Sequence, residues 1–228
     1  MANPNLTSSK MNILNPQIVI CGTDTDVGKT IVSCLLVQGL HAIYWKPIQS
    51  GLEGGGDTGR VCKLLNLNAN RWIPELYKFK APVSPHWAAE KENRCIDQTS
   101  IKIPSTNKPL IIEMAGGLMV PLNRQFLQID LLQKWKLPII LVGRSGLGTL
   151  NHTLLSIEAL KKREIPILGI ILNGPKHKDN PKTIEQRTNL PIIAELPKLE
   201  EISAEKLSDV WTNQKLSIQL TTLIKNYY

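Results

Sequence analysis

The sequence contains little that would place it outside a reduced, aqueous compartment. Its 228 residues include only four cysteines, and none stands in a CxxC pair or at a metal-binding spacing from a histidine. We therefore expect free thiols, with neither a disulfide framework nor a zinc site. The longest apolar runs, at 165–172 and 138–142, are far shorter than the roughly 20 residues of a membrane span. The sequence thus predicts a cytoplasmic protein with no membrane partner.

The amino terminus has no apolar segment of the kind found in secretory signals. Residues 1–16 are polar and rich in asparagine, and we expect them to form a disordered lead-in to the first strand. No repeat or low-complexity linker divides the rest of the chain, and the overall composition is 42% hydrophobic. This length and composition suit one sizeable core, so we expect a single domain over residues 17–228.

Acidic residues are in the minority, because 19 Asp and Glu accompany 27 Lys and Arg, which gives a net charge of +8. Such an excess is one feature of nucleic-acid-binding proteins. The lysines are scattered, however, and neither an arginine-rich arm nor an aromatic RNA-binding segment accompanies them. A cationic pocket for nucleotide phosphates explains the charge as well, so we expect no nucleic-acid partner.

Short apolar runs alternate with longer amphipathic segments along the chain. The runs lie at 17–21, 42–45, 110–112, 139–142, 167–172 and 192–194. Several are apolar at consecutive positions, which is typical of strands covered on both faces. Val32, Leu35, Leu36 and Gly39 fall at helical spacing after the first run,. The alternation predicts an α/β fold with a mainly parallel sheet and helices on both faces, whose ligands bind at the carboxyl ends of the strands.

A phosphate-binding loop follows the first run, with the sequence GTDTDVGKT at residues 22–30. Gly28 would let the backbone approach an anion at a helix amino terminus. Lys29 would reach the β- and γ-phosphates, and the Thr30 hydroxyl would bind Mg²⁺. Five residues separate the two glycines instead of the usual four, so Thr23 stands in the place of the first glycine. A chance GKT is the alternative, but the order of strand, loop and helix favours a single-domain P-loop fold.

Two carboxylates and a second lysine accompany the loop. Glu113 follows the run at 110–112, where P-loop proteins place a Mg²⁺-linked carboxylate, although a surface Glu at a turn is the alternative. Asp57 follows three glycines and begins a helical pattern, so it is either a helix N-cap or a metal ligand. Lys46 directly follows the second run, at the carboxyl end of the expected strand, from which it would project toward the phosphates, unless it is an ordinary solvated lysine.

Three further polar residues stand near strand or helix ends. Asn173 and Asn151 each allow two interpretations, and His152 shows no sign of a function. Asn173 and Gly174 directly follow the fifth run and end the expected strand, where the amide could contact an adenine edge or form a turn. Asn151 follows a glycine-rich segment and either caps a helix or helps its N–H groups to hold a carboxylate. His152 has no Ser or Asp partner in the pattern, so we assign it no catalytic role.

Taken together, these segments resemble dethiobiotin synthetase in their order and spacing. They are the loop at 22–30, Lys46-Pro47, Ser50-Gly51, Ser84-Pro85-His86, Glu113 with Ala115-Gly116-Gly117, and LGTLNH at 147–152. The resemblance runs from about 18 to 199. It implies a homodimeric, ATP- and Mg²⁺-dependent ligase of biotin synthesis. Such an enzyme converts 7,8-diaminononanoate and CO₂ (or bicarbonate) into the cyclic urea dethiobiotin and releases ADP and phosphate.

The resemblance also implies roles for individual residues. Lys29 and Lys46 would be the catalytic residues that bracket the γ-phosphate. The Mg²⁺ ligands would be Thr30, Asp57 and Glu113. Further ATP contacts would come from Asp26, Val27, Gly28, Ile31, Asn173, Gly174, Pro197, Lys198 and Leu199, the last five on the adenine side. The diamine would be bound by Thr25 and Ser50, and its carboxylate by Gly148, Thr149 and Asn151 from across the dimer interface.

One departure from the family pattern bears on the site. Met114 stands where the family has glycine, and its side chain is expected to crowd the backbone beside the substrate. The chemistry is otherwise coherent, because phosphorylating a carbamate oxygen requires positioning and cations more than a protein nucleophile.

Three other functions are compatible with parts of the sequence. A cobyrinate-type amidotransferase would need a second domain with a nucleophilic Cys. A ParA-like ATPase switch would resemble KGGVGKT, with an early lysine where this chain has Asp24-Thr25-Asp26. A nucleic-acid-binding module is suggested by net charge alone.

Overall fold

A computed structural model describes residues 15–199 and 201–227 of the chain. The expected lead-in at residues 1–16 therefore lies almost wholly outside the described residues, and its disorder stays a prediction. The first strand begins at Gln17, as the apolar pattern predicts. Within the described ranges, none of the helices is long and apolar enough to cross a membrane.

The centre of the fold is a seven-stranded sheet. Its strands are β1 (Gln17–Gly22), β2 (Ile43–Trp45), β4 (Trp72–Ile73), β6 (Leu110–Gly117), β9 (Ile139–Arg144), β10 (Ile167–Asn173) and β11 (Ile192–Leu196). Their order in the sheet is β11-β10-β9-β1-β6-β2-β4, and all of the pairings are parallel. Each of the six apolar runs forms one of these strands, which confirms the predicted parallel sheet. The short edge strand β4 was not predicted, because two residues give no periodicity to detect.

Helices cover both faces of the sheet. They are α1 (Lys29–Gly39), α2 (Gly56–Leu65), α3 (Pro85–Lys91), α4 (Gln128–Trp135), α5 (Thr149–Lys162), α6 (Asn180–Thr188), α7 (Ala204–Asn213) and α8 (Leu216–Tyr227). Alternate strand residues enter two separate cores: Ile18 and Ile20 pack with α1, α2, α7 and α8, whereas Val19 and Cys21 pack with α3, α4, α5 and α6. Burial on both faces explains why the strands read as continuous apolar runs.

Prolines define the amino-terminal edge of the sheet. A proline has no N–H to donate, so it is tolerated where a strand begins. Each of these prolines instead supplies a carbonyl to the neighbouring strand: Pro109 to Ile43, Pro138 to Val19, Pro166 to Ile139 and Pro191 to Ile170, at 2.7–3.0 Å. The opposite, carboxyl edge is thereby left to the loops that carry the polar motifs.

Two small sheets lie beside the main one. Strands β3 (Ile48–Ser50) and β5 (Tyr77–Phe79) pair in parallel, and β7 (Pro121–Asn123) and β8 (Phe126–Leu127) pair antiparallel. The segment from β2 to β3 carries Lys46 and Ser50, so this extension of the fold forms one wall of the space above the sheet.

Candidate active site

A cleft of about 730 Å³ opens at the carboxyl ends of β1, β2 and β6. Its walls are the loop before α1, the start of α2, the segment at 82–85 and the end of β6. The position agrees with the rule that ligands bind at the carboxyl edge of a parallel sheet. The predicted residues Thr25, Asp26, Gly28, Lys29, Thr30, Ile31, Lys46, Ser50, Asp57 and Glu113 all line this cleft.

The phosphate loop passes directly from β1 into α1. Gly28 is the N-cap residue of α1 with φ at 98°, a left-handed conformation that favours glycine,. A Cβ added at Gly28 would collide with the side-chain amide of Asn173, so a larger residue would require Asn173 to move. Thr23, in place of the first glycine, donates its N–H to Val142 O at 2.9 Å and so extends the pairing with β9.

Lys29 is the first residue of α1 and points back over its own loop. Its Nζ donates to Asp24 O at 2.8 Å, and the residue is only 7% exposed. Burial, and then the nearby charge of Lys46, lower the pKa of Lys29 from its usual 10.5. An anion bound in the loop would relieve both effects.

Glu113 is the centre of the polar cluster. Its Oε1 accepts hydrogen bonds from Thr30 Oγ1 at 2.9 Å and Lys46 Nζ at 3.1 Å. Its Oε2 accepts one from the hydroxyl of Tyr44 at 2.9 Å. The alternative of a surface Glu at a turn is wrong, because Glu113 is 1% exposed. It also lies within β6, not at the strand's end, since β6 continues to Gly117.

Lys46 lies between two carboxylates. Its Nζ donates to Asp57 Oδ2 at 2.5 Å as well as to Glu113. Burial acts to lower the pKa of Lys46, but the charges of Glu113 and Asp57 outweigh it and raise that pKa above its usual 10.5. The alternative of a solvated lysine is therefore wrong, as the residue is 4% exposed.

Asp57 does not cap a helix. The N-cap of α2 is Gly55, and Asp57 is the second residue of the helix. Burial acts to raise the pKa of Asp57, but the charge and hydrogen bond of Lys46 lower it below its usual 3.8. The cap interpretation is thus wrong, and the side chain is directed into the cleft wall by Lys46.

Sequence reasoning missed Gln49, which fixes the start of α2. Its Oε1 accepts the backbone N–H of Asp57 at 3.1 Å. Its Nε2 donates to the carbonyls of Ser50 and Gly51 at 3.1 and 2.9 Å. One buried amide therefore holds the carboxylate-bearing helix against the loop that carries Ser50. The only sequence signal was its position between Lys46 and Ser50.

The donor set fits Mg²⁺ held together with a nucleotide. Within residues 15–199 and 201–227, no group of three or more His, Cys, Asp and Glu side chains is arranged to hold a metal ion. The Thr30 hydroxyl and the carboxylates of Asp57 and Glu113 instead converge on one wall of the cleft. Mg²⁺ commonly uses one or two carboxylates and completes its shell with water and substrate phosphates.

Polar and apolar groups share the substrate side of the cleft. Thr25 and Ser50 line it, and the Ser50 hydroxyl is buried with no hydrogen-bond partner among the described residues. Pro82, Val83 and Val120 supply apolar walls. The expected crowding by Met114 is not found: its side chain is 1% exposed and packs into the core on the other face of the sheet.

The predicted carboxylate-binding residues lie away from this cleft. Gly148 is the N-cap of α5 with φ at 87°, and Thr149 is the first residue of the helix. Asn151 is exposed at the third position, so the interpretation of Asn151 as a helix cap is wrong. Leu147, just before them, is fully exposed.

The residues predicted to contact adenine lie together beside the phosphate loop. Asn173 Nδ2 donates to Val27 O at 3.1 Å. Gly174 N donates to Leu196 O at 2.9 Å, which places the segment 197–199 next to it, with Pro197 and Lys198 exposed and Leu199 half-buried. These five residues are brought to one edge of the sheet but do not line the cleft described above.

Sequence comparisons agree with the geometry. A family described as an AAA domain matches residues 16–206. The ATP-dependent dethiobiotin synthetase BioD of Rhodopseudomonas palustris strain TIE-1 is 44% identical over 194 residues, which are 85% of this chain and 92% of that protein. BioD of Brucella melitensis biotype 1 is 43% identical over 194 residues with the same coverage. The bifunctional protein BioCD of Bordetella avium is 46% identical over 198 residues, and this chain spans 42% of its length.

Solved structures of low sequence identity share the fold. The cell division ATPase MinD of Pyrococcus furiosus superposes with a TM-score of 0.56 at 16% identity and covers 93% of this chain and 99% of that one. MinD of Pyrococcus horikoshii, solved with Mg-ADP, gives 0.54 at 16% identity over 91% and 95%. At such identities the likeness concerns the fold alone, and it confirms the predicted P-loop architecture.

Proposed function

The chain belongs to the dethiobiotin synthetase family, and we propose on that premise that its cleft closes the urea ring of dethiobiotin from 7,8-diaminononanoate, CO₂ and ATP. The observation that carries the proposal is the cluster around Glu113. It brings one lysine, two carboxylates and a threonine hydroxyl to the mouth of a phosphate loop. Such a set is suited to phosphoryl transfer, which depends on positioning and cations.

The proposed reaction has three steps. An amine of the substrate adds to CO₂ and loses a proton, which gives a carbamate. A carbamate oxygen then attacks the γ-phosphorus of ATP, so that the bond to ADP breaks and a carbamic–phosphoric anhydride forms. The neighbouring amine attacks the anhydride carbonyl, loses a proton and expels phosphate, which closes the five-membered urea.

The chain's own residues supply position and charge for these steps. Lys29 and the N–H groups at the start of α1 bind the β- and γ-phosphates. Lys46 is held at the cleft wall by Asp57 and Glu113, where its charge stabilises the anion that develops between carbamate and γ-phosphate. Mg²⁺, bound by Thr30, Asp57 and Glu113, would supply further positive charge to the phosphates. Thr25 and Ser50 orient the diamine.

No protein nucleophile is required, and the one thiol in the cleft is not suited to be one. Cys34 lines the cleft, but burial, and then the charge of Glu113, raise the pKa of its thiol well above the usual 9.0. A thiol that stays protonated is a weak nucleophile.

We also propose a homodimer with shared sites. Gly148 and Thr149 form the amino terminus of α5, and a helix amino terminus suits a carboxylate. These residues do not line their own chain's cleft, so a second copy would have to present them to it. The cytoplasmic location expected from the sequence remains a prediction.

A ParA-like switch is another function compatible with the fold, and one experiment separates it from the ligase. ADP release from ATP and Mg²⁺ is measured with and without the diamine and bicarbonate, and with and without duplex DNA. The ligase releases ADP only when the diamine and bicarbonate are present. ATP hydrolysis at a rate that is independent of the diamine and increases with DNA would favour the switch.

A further inference from the structure

Tyr44 lies directly behind the cleft wall, in contact with Glu113, although neither the phosphate-loop motif nor the other polar motifs include it. Its side chain is fully buried on β2, and its hydroxyl donates to Glu113 Oε2 at 2.9 Å. β2 and β6 are parallel neighbours in which Tyr44 pairs with Ile111. Glu113, two residues further along β6, projects from the same face as Ile111, within reach of the tyrosine hydroxyl.

The two carboxylate oxygens of Glu113 are therefore not equivalent. Oε1 accepts hydrogen bonds from Thr30 and Lys46 in the cleft wall, whereas Oε2 accepts one from Tyr44 inside the protein. The carboxylate is 1% exposed, so no solvent competes for Oε2. We infer that Tyr44 is a positioning residue that restricts Glu113 to one oxygen toward a cation in the cleft, and so selects Mg²⁺ over Ca²⁺.

The chemistry of the two ions explains the selection. Mg²⁺ is small and takes six oxygens in a compact octahedron, commonly one from each carboxylate. Ca²⁺ takes about six to eight oxygens and often both oxygens of one carboxylate. A glutamate whose second oxygen is already hydrogen-bonded suits the first ion and loses a ligand for the second. This inference rests on the proposed function, because it takes Thr30, Asp57 and Glu113 as the metal-binding residues.

The test measures binding, not turnover. A fluorescent ATP analogue is titrated onto the protein in EDTA, in Mg²⁺ and in Ca²⁺, for the wild type, Tyr44→Phe and Tyr227→Phe. Tyr227 provides a matched control because its hydroxyl donates to Lys136 O at 2.8 Å. Lys136 lies just before β9, at the amino-terminal edge of the sheet, whereas the cleft lies at the carboxyl edge. Mutating a residue that hydrogen-bonds to a metal ligand typically lowers the metal affinity by about 10–100-fold. We expect Tyr44→Phe to lose about tenfold in the Mg²⁺-dependent affinity and none of the Ca²⁺-dependent affinity, whereas Tyr227→Phe behaves as wild type.

The titrations test the role of Tyr44 separately from the proposed metal site. If the ratio of nucleotide affinities in Mg²⁺ and Ca²⁺ is unchanged in folded Tyr44→Phe, the inference is overturned. If that variant does not fold, the wild type still decides: equal affinities in the two ions overturn the inference, and a preference for Mg²⁺ supports it. If the nucleotide affinity is the same in EDTA, Mg²⁺ and Ca²⁺, the proposed metal site itself is overturned. This result is distinct from a failure of the role assigned to Tyr44.

A double variant checks that Tyr44 acts through Glu113. Glu113→Gln alone should abolish the preference for Mg²⁺, and adding Tyr44→Phe to it should change the ratio no further. A further fall in the ratio would mean that Tyr44 affects the metal by another route and would overturn the assigned role.

Discussion

Lys46 and Asp57 form an ion pair in the cleft wall, with 2.5 Å between the ammonium Nζ and the carboxylate Oδ2. The lysine follows β2 and the aspartate lies in the first turn of α2. Lys46 also contacts Glu113 at 3.1 Å, so two carboxylates share one buried cation. The chemistry proposed for the cleft depends on this arrangement, and most of the predictions below alter it.

Replacing Lys46 by Gln should reduce turnover by about a hundredfold or more, by analogy with other positioned charges. Nucleotide affinity should change far less, because Lys29 and the loop N–H groups remain. The measurement is a single-turnover rate and an ATP affinity on the same folded variant. Lys63→Gln is the control, since Lys63 is an exposed lysine on α2. Near-normal turnover in Lys46→Gln would remove the main mechanistic role assigned here.

Asp57→Asn should raise the Mg²⁺ concentration needed for half-maximal turnover, by about tenfold or more for the loss of a metal-binding carboxylate. The exposed Asp209 on α7 provides the control variant Asp209→Asn. Turnover is followed across a Mg²⁺ titration at saturating ATP. A normal Mg²⁺ requirement in Asp57→Asn would leave the carboxylate with a structural role beside Lys46 only.

The ion pair should also appear in the pH dependence of stability. The pKa of Asp57 is lowered below its usual 3.8 in the folded protein, so its contribution is full above the unfolded value and is lost as the pH falls through the lowered one. Urea unfolding in EDTA should show Asp57→Asn less stable than wild type by about 1–3 kcal/mol at neutral pH. This difference should shrink below about pH 4. A difference that is constant down to about pH 2 would contradict the assigned pKa shift.

Shared sites can be tested by mixing two inactive variants. Lys46→Gln disables the phosphate side of a site, and Asn151→Asp places a like charge where the partner's substrate carboxylate would bind. A mixed dimer then has one site with both changes and one with neither, because the interface of a symmetric dimer is reciprocal. After equimolar mixing and subunit exchange, activity should recover to about a quarter of wild type. No recovery in verified mixed dimers would contradict a shared site.

The sequence predicted the parts of this molecule that depend on local order. Apolar runs marked the main strands, and the succession of strand, loop and helix marked the phosphate loop. The contacts around Glu113 were harder to predict, because Tyr44 comes close to Glu113 only through the register in which β2 pairs with β6. Gln49 was missed for the same reason: its contact with Asp57 depends on how α2 packs over β3. The family pattern predicts that Met114 crowds the backbone beside the substrate, but the alternation of side chains along β6 places Met114 in the core on the opposite face of the sheet.

The formation of dethiobiotin itself is the most direct test. The purified protein is incubated with 7,8-diaminononanoate, ¹³C-labelled bicarbonate, ATP and Mg²⁺, and the product and ADP are quantified by mass spectrometry. We expect dethiobiotin with the label in its urea carbonyl, equimolar with the ADP released, and none when ATP, Mg²⁺ or the diamine is omitted. ADP release without labelled dethiobiotin would contradict the proposed reaction.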